Sequence, residues 1–262
     1  MTDLMTGKRG LIMGVANDRS IAWGIAKAMA EEGAKLAFTY QGEGFGKRVR
    51  PLAESVGSNL VIPADVQDEA SLDAVFKTLA DEWGTMDFVV HAIAFSDKEE
   101  LTGRFLNTTR RNFLNSMDIS CYSFIDVARR AEPLMTNGGT LITLTYMGSQ
   151  RVQPNYNVMG VAKAALESAV RYLANDLGPK GIRVNAVSPG PMKTLAGAAI
   201  GGARKVYRVI GQNAPLGSNA TLEAVGGTAV YLASDSGAFT TGEIIHVDGG
   251  FHVLGMLREE NL

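Results

Sequence analysis

A chain of 262 residues that is 46% hydrophobic and 20% charged has ordinary globular composition, long enough for one large α/β domain, and this excludes a disordered or fibrous protein. With 25 Lys and Arg against 27 Asp and Glu it carries no overall basic field, so no nucleic-acid partner is expected. The single cysteine, Cys121, allows no internal disulfide and no zinc or iron–sulfur motif; no metal site is expected, and the usage fits a reducing cytoplasm. Met1 to Lys8 lacks a basic segment ahead of an apolar signal core, and no apolar run approaches the roughly 18 residues of a membrane span, so the expectation is a soluble, unprocessed protein with no membrane partner.

In chain order, strand-length apolar runs fall at Arg9 to Gly14, Lys35 to Tyr40, Leu60 to Ala64, Phe88 to Ala92, Thr140 to Thr145, Arg183 to Val187 and Glu243 to Val247. Between them, helical periodicity marks Ile21 to Glu32, Phe45 to Val56, Glu69 to Trp83, Thr109 to Met135, Tyr156 to Leu177 and Leu222 to Ser234. Such alternation predicts right-handed crossovers and an α/β, doubly wound (Rossmann-type) sheet of seven parallel strands with helices on both faces. No linker or fixed-period repeat divides the chain, so residues 1–262 read as a single domain. The long segment without clear periodicity, Ser188 to Ala203, opens Ser188-Pro189-Gly190-Pro191 and continues in small residues. Its place after the sixth strand predicts a lid over about residues 188–211.

The first strand ends at Gly14 and runs into a helix beginning at Ile21, a turn that in a dinucleotide fold sets backbone N–H groups against a pyrophosphate. Ser20 is placed as N-cap and phosphate donor. The spacing is not G-x-G-x-x-G, and one glycine before a helix is equally an ordinary turn, so this motif alone leaves cofactor binding open. Asp65-Val66, after the third strand, is placed either to hold an adenine edge or to cap the next helix. His91-Ala92-Ile93-Ala94-Phe95 closes the fourth strand beside the expected crevice, with small residues that admit a ribose and nicotinamide; His91 reads as a structural histidine.

Tyr146 precedes Tyr156 by ten residues, and Lys163 follows Tyr156 by seven. On a helix the last two differ by only about 20° around the axis and share a face. An ammonium beside a phenol is expected to favour the phenolate and lower the Tyr pKa. A solvated helix face would also hold such a pair, but a second Tyr at the preceding strand end weighs against that reading.

The segments Gly14-Val15-Ala16-Asn17-Asp18-Arg19-Ser20-Ile21-Ala22-Trp23-Gly24, Pro154-Asn155-Tyr156-Asn157-Val158-Met159-Gly160-Val161-Ala162-Lys163 and Arg183-Val184-Asn185-Ala186-Val187-Ser188 closely resemble the bacterial NADH-dependent enoyl-(acyl carrier protein) reductases. These form the divergent branch of the short-chain dehydrogenase/reductases, and the resemblance extends over essentially the whole chain, through Gly242 to Gly250. The ordinary branch places three residues between its Tyr and Lys. Here position 159, four before Lys163, is Met, so Tyr-x6-Lys is the spacing available.

The resemblance implies an oxidoreductase of fatty-acid biosynthesis. It would reduce the trans-2 double bond of an enoyl thioester on acyl carrier protein by hydride transfer from NADH to the β-carbon, at the last step of type II elongation, as a cytoplasmic homotetramer. It implies three catalytic residues: Tyr156 donating to the developing enolate oxygen, Lys163 orienting the nicotinamide ribose and lending charge, and Tyr146 positioning the substrate or delivering a proton. Cofactor contacts carry over to Gly14, Ser20, Ile21, Gln41, Asp65, Val66, Ile93 and Lys163, and in the lid segment to Met192, Lys193, Thr194, Leu195 and Ala196. Substrate contacts carry over to Ala94, Phe95, Ser96, Tyr146 and Tyr156.

NADH is expected because no Arg at Tyr40, Gln41 or Gly42 offers a partner for a 2′-phosphate, although no acid there holds a 2′-hydroxyl either; Lys47 and Arg48 nearby read as a solvated helix face. The sequence departs from the family pattern at Ala94, where glycine is expected, and at Pro189, where alanine is. The Ala94 methyl would narrow the space where the family's diphenyl-ether and diazaborine inhibitors stack, so reduced triclosan sensitivity is expected. Two other functions stand beside the main one: a carbonyl or 3-oxoacyl thioester reductase of the ordinary branch, and a catalytically silent NAD-binding module. The Tyr-x6-Lys spacing argues against the first, and the full set Tyr146, Tyr156 and Lys163 against the second. Arg204, Lys205 and Arg208 beside the lid read either as a solvated helix face or as a landing surface for an acidic carrier protein.

Overall fold

The computed structural model describes residues 3–198 and 201–261. Ala199 and Ile200 of the expected lid lie outside the described residues, as does the side chain of Ala196.

Seven parallel strands, β1 (Arg9–Met13), β2 (Lys35–Tyr40), β3 (Val61–Pro63), β4 (Phe88–His91), β5 (Gly139–Leu144), β6 (Ile182–Pro189) and β7 (Ile244–Val247), form one sheet in the order β3-β2-β1-β4-β5-β6-β7. Register pairs Ile12 with Phe38 on one side and Val90 on the other, and His91 with Thr143. The order reverses beside β1, and a crevice opens beyond the carboxyl ends of β1 and β4 at such a point.

Helices α1 (Ile21–Glu31), α2 (Gly42–Ser55) and α3 (Glu69–Trp83) follow the first three strands, and α4 (Lys98–Leu101), α5 (Arg110–Met117) and α6 (Ser123–Ala131) follow β4. α7 (Asn157–Leu177) follows β5, and α8 (Leu195–Ala198), α9 (Ala203–Asn213) and α10 (Leu222–Ala233) follow β6. Alternation along the strands decides which side chain goes to which face. Leu11, Met13, Val89, Leu141 and Val184 pack against α3, α6 and α7, whereas Ile12, Phe38, Val90, Ile142 and Val187 pack against α1, α2 and α10. Phe38, Phe88 and Phe124 are completely enclosed, each burial stabilising the fold by about 1.5–3 kcal/mol.

Two expected elements differ. The helix read over Thr109 to Met135 is broken by a π-helical turn at Asp118–Tyr122 between α5 and α6. Hydroxyls in and beside it bond backbone: Ser120 Oγ accepts from Phe95 N–H (3.0 Å) outside the helix, and Ser123 Oγ, at the start of α6, donates to Ile119 C=O (2.6 Å) within the turn, and such back-bonding disturbs the i→i−4 ladder. The segment expected to lack regular structure, Ser188 to Ala203, holds the end of β6 and α8 and stops where α9 begins, and α9 fills the rest of the expected lid. In α9 the exposed Arg204, Lys205 and Arg208 lie opposite buried Ile210, a period hidden in the sequence by the run of small residues before it.

Candidate active site

Chain leaving β5 turns sharply under the start of α7. Periodicity makes Tyr156 the first residue of its helix, but it is the N-cap: Tyr146 is extended (φ −152°, ψ 147°), the next residues form a 3-10 turn at Met147–Ser149, and α7 begins at Asn157, one residue later than periodicity places it. Asn155 (φ 59°) and Asn157 (φ 34°) flank Tyr156 in the left-handed region, which Asn tolerates better than most residues. Their amides fix the bend, Asn155 Nδ2 donating to Gly201 C=O (2.7 Å) and Asn157 Nδ2 to Glu100 C=O (3.1 Å). The rings of Tyr146 and Tyr156 meet edge to face, centroids 5.1 Å apart, against Leu101, Phe113, Val158 and Met159. Lys163, two turns into α7, reaches back under them, its Nζ donating to Leu144 C=O at 2.7 Å.

Burial sets the protonation states here. The sequence leads one to expect a Tyr156 lowered by the neighbouring ammonium; instead its pKa is raised, because enclosure disfavours the phenolate and the Tyr146 and Glu167 charges oppose it further. Tyr156 is a neutral donor. Tyr146 is likewise pushed up to about 12 by burial and by Asp248. Burial brings Lys163 down to about 8 against the opposing pull of Cys121 and Glu167, so it remains a cation at neutral pH. His91 is fully enclosed between Ser123 Oγ (2.8 Å from Nε2) and Thr143 Oγ1 (3.3 Å from Nδ1), and burial with the Lys163 charge lowers it to about 3. It is neutral and structural.

At the carboxyl ends of β1 to β4 the remaining expected positions gather. Gly14 has φ 95°, and a Cβ there would lie 2.1 Å from Ala92 C=O, so the turn after β1 runs against the end of β4 only as glycine. Ser20 occupies the N-cap of α1, but its hydroxyl makes no capping bond; Oγ accepts from Ala16 N–H (3.0 Å) and Asn17 N–H (3.1 Å), which shapes the loop instead. The first-turn N–H groups of Ile21 and Ala22 therefore keep the unpaired donors of a helix start. Gln41 Nε2 donates to Asp65 Oδ2 (3.2 Å), joining the ends of β2 and β3, and Asp65 Oδ1 accepts from Gln67 N–H (3.0 Å). The alternative role for Asp65 falls away because Asp68 caps α3. Val66 and Ile93 are half-buried against the core on the same side. Open helix-start donors, a glycine cradle and paired polar groups at neighbouring strand ends fit a dinucleotide.

Past β4, Ala94 and Phe95 are exposed and Ser96 is half-buried along the crevice. Ser120 holds Phe95 at both backbone groups, and fully buried Asn112 accepts from Asp97 N–H (3.0 Å) and donates to Ser96 Oγ (3.1 Å). In the lid segment Met192 packs on the core face shared with α1, Thr194 Oγ1 accepts from Gly197 N–H (2.9 Å), Lys193 Nζ lies 4.8 Å over the Tyr207 ring, and Leu195 is half exposed. The sequence reading missed Asn112, Ser120 and Glu167, and it also missed Gly148 and Gly160, which let the 3-10 turn lie flat on α7. Only Glu167 left a signal, a carboxylate four residues after Lys163 in the otherwise apolar stripe of Ala162, Leu166 and Val170.

Residues 14–252 match a family described as Enoyl-(Acyl carrier protein) reductase. Over 262 residues, 100% of this chain and 98% of the relative, the sequence is 59% identical to the NADH enoyl-(acyl carrier protein) reductase 2 of Rhizobium meliloti (strain 1021). The fold superposes on the reductase of Anaplasma phagocytophilum solved in complex with NAD, at a TM-score of 0.95 and 58% identity over 97% of each chain. It superposes equally, at 0.95 and 50% identity over 97% of this chain and 99% of the other, on the Bacillus cereus enoyl-acyl carrier protein reductase solved with NADP+ and indole naphthyridinone.

Proposed function

Since this chain belongs to the enoyl-(acyl carrier protein) reductase family and reduces the double bond of enoyl chains on acyl carrier protein with NADH, the last step of fatty-acid elongation, we propose that Tyr146, Tyr156 and Lys163 carry that reduction. The observation that supports this most is their convergence at the end of β5, with Tyr156 held as a neutral phenol. Bound NADH supplies the hydride that adds to the β-carbon. The displaced electron pair reaches the thioester oxygen, where the Tyr156 hydroxyl donates a hydrogen bond; one such donor in a dry site contributes on the order of 3 kcal/mol. Lys163, fixed by Leu144 C=O, presents its remaining N–H groups to the ribose and its charge to the developing anion. Tyr146 supports Tyr156 from the side and is placed to deliver the proton that completes the saturated product.

In this reading the cofactor lies across Gly14, Ser20, Ile21, Gln41, Asp65, Val66 and Ile93, and the acyl thioester runs along Ala94, Phe95 and Ser96. Arg50 of α2, whose guanidinium reaches back to the end of β2, is occupied by Glu43 (3.0 Å) and by the Tyr40 ring (4.8 Å), which agrees with NADH. Residues 188–211, with Met192, Lys193, Thr194, Leu195 and Ala196, act as a lid on one catalytic domain spanning 1–262, and the exposed Arg204, Lys205 and Arg208 of α9 receive the acidic carrier protein. The working assembly is a cytoplasmic homotetramer. Exposed Leu114 and Ile125, and exposed Val161 and Tyr172 on α7, each pair eleven residues apart, support burial of these helices against a second copy. Among the described residues no helix is long and apolar enough to cross a membrane.

The test follows oxidation of NADH, and separately NADPH, with a trans-2-enoyl thioester, a 3-oxoacyl thioester and a simple ketone, with Tyr156→Phe as control. Turnover of the enoyl thioester alone, lost in the variant, is expected; turnover of the ketone or 3-oxo compound would overturn the assignment. Native mass spectrometry checks the tetramer.

A further inference from the structure

We propose that Glu167 is a positioning residue of this site, its carboxylate clamping the turn that carries Tyr146 onto the helix that carries Lys163. The proposal rests on the roles given above to Tyr146, Tyr156 and Lys163.

Glu167 is 6% exposed, in a helix stripe that apart from it and Lys163 buries only small and apolar side chains. A buried carboxylate is unfavourable unless bonded, and this one is. Its Oε1 accepts from Thr145 Oγ1 at 2.7 Å and also from Ser149 Oγ. Thr145 immediately precedes Tyr146, and Ser149 closes the 3-10 turn that follows it. One oxygen therefore holds both ends of the short segment from which Tyr146 projects. The other end of the clamp is α7 itself, where Lys163 lies one turn earlier on the same face. A Leu at 167 would fill the volume and leave two hydroxyls unpaired and the turn free to shift on its Gly148 contact.

The same carboxylate also acts through charge. Lys163 is faced by Cys121 from the π-helical turn, His91 from β4, and Glu167 on its own helix; Glu167 is faced in turn by Tyr156, itself beside Tyr146 of the clamped turn, and by His246 of β7. Among the described residues Glu167 is the carboxylate that pulls Lys163 toward its charged form, and it opposes the burial that would strip the proton. Position and charge are separable by mutation.

Glu167→Gln keeps the size and one acceptor oxygen but no charge. Its alkaline limb in the pH profile of kcat/KM is expected to move down by about half a pH unit or more, because the ammonium loses its counter-charge. The double variant Thr145→Val, Ser149→Ala keeps the charge and removes both hydroxyls. Its kcat is expected to fall about tenfold or more through misplacement of Tyr146, with the alkaline limb where the parent has it. A Glu167→Gln limb that coincides with the parent's, or a double variant with parental kcat, overturns the proposal. Should Glu167→Gln fail to fold, the double variant alone decides the clamp. An inactive parent enzyme would instead refute the reductase reading, so the two failures are distinct.

Discussion

Gly148 lies so close beneath Tyr156 that a methyl group on its Cα would stand 2.4 Å from Cδ1 of the phenol ring. Its backbone is in an ordinary region, so Gly148→Ala introduces no conformational strain of its own and acts by displacing the ring. A shift of about 1 Å at the donor is expected to lower kcat about a hundredfold. Steady-state kinetics beside an NADH fluorescence titration checks this; an unchanged kcat would mean that the ring is not held by this contact.

Tyr156→Phe removes the hydroxyl and leaves the ring packed against Tyr146. The expected loss is about 10²- to 10³-fold in kcat, the cost of one donor to a developing oxyanion, with NADH affinity and melting temperature near those of the parent. A variant with parental kcat would remove Tyr156 from the chemistry.

Lys163 is expected to set the alkaline limit of activity. Burial holds its pKa at about 8, so the ammonium is present below that pH and is lost as pH rises through it, and kcat/KM is expected to decline on the alkaline side. The phenols stay protonated there, since both are raised. Unfolding does not account for the decline: between about 8 and the ordinary value of 10.5 the unfolded chain binds more protons at this site, so its contribution to stability rises with pH while activity falls. Lys163→Arg keeps the charge at every accessible pH and is expected to lose the limb. A limb that persists in Lys163→Arg would assign it to another group.

Ala94 is exposed on the crevice wall, with Phe95 beside it pinned by Ser120. Restoring space with Ala94→Gly is expected to tighten triclosan binding in the presence of NAD+ by about tenfold, the effect of relieving one overpacked methyl. Equal affinity in the two proteins, by calorimetry or inhibition, would show that this methyl does not set sensitivity.

The strands were legible because alternation and β-branched runs are local signals; each of the seven expected runs overlaps an observed strand. Tyr156 and Lys163 were legible for a similar reason, since seven residues on one helix bring two side chains to one face without help from the rest of the molecule. Contacts between distant segments were not legible. In the π-helical turn Ser120 serves Phe95, twenty-five residues away, and Gln41 meets Asp65 only because β2 and β3 are neighbours in the sheet. α9 was obscured by the small residues ahead of it, and becomes a helix with a buried side only where Ile210 finds the body of the fold.

Protonation divides the two levels most clearly. By itself the sequence determined the fold class, the strand complement and the residue types brought together at the end of β5. It also led to a Tyr156 ionised by its neighbour, since two side chains and a spacing contain no dielectric. Only the tertiary structure decided otherwise: Leu101, Val158 and Met159 exclude water from the phenol, Lys163 spends a hydrogen bond on Leu144 C=O, and Glu167 joins turn to helix. Burial and long-range pairing are properties of the packed chain, and they determine which proton each group holds.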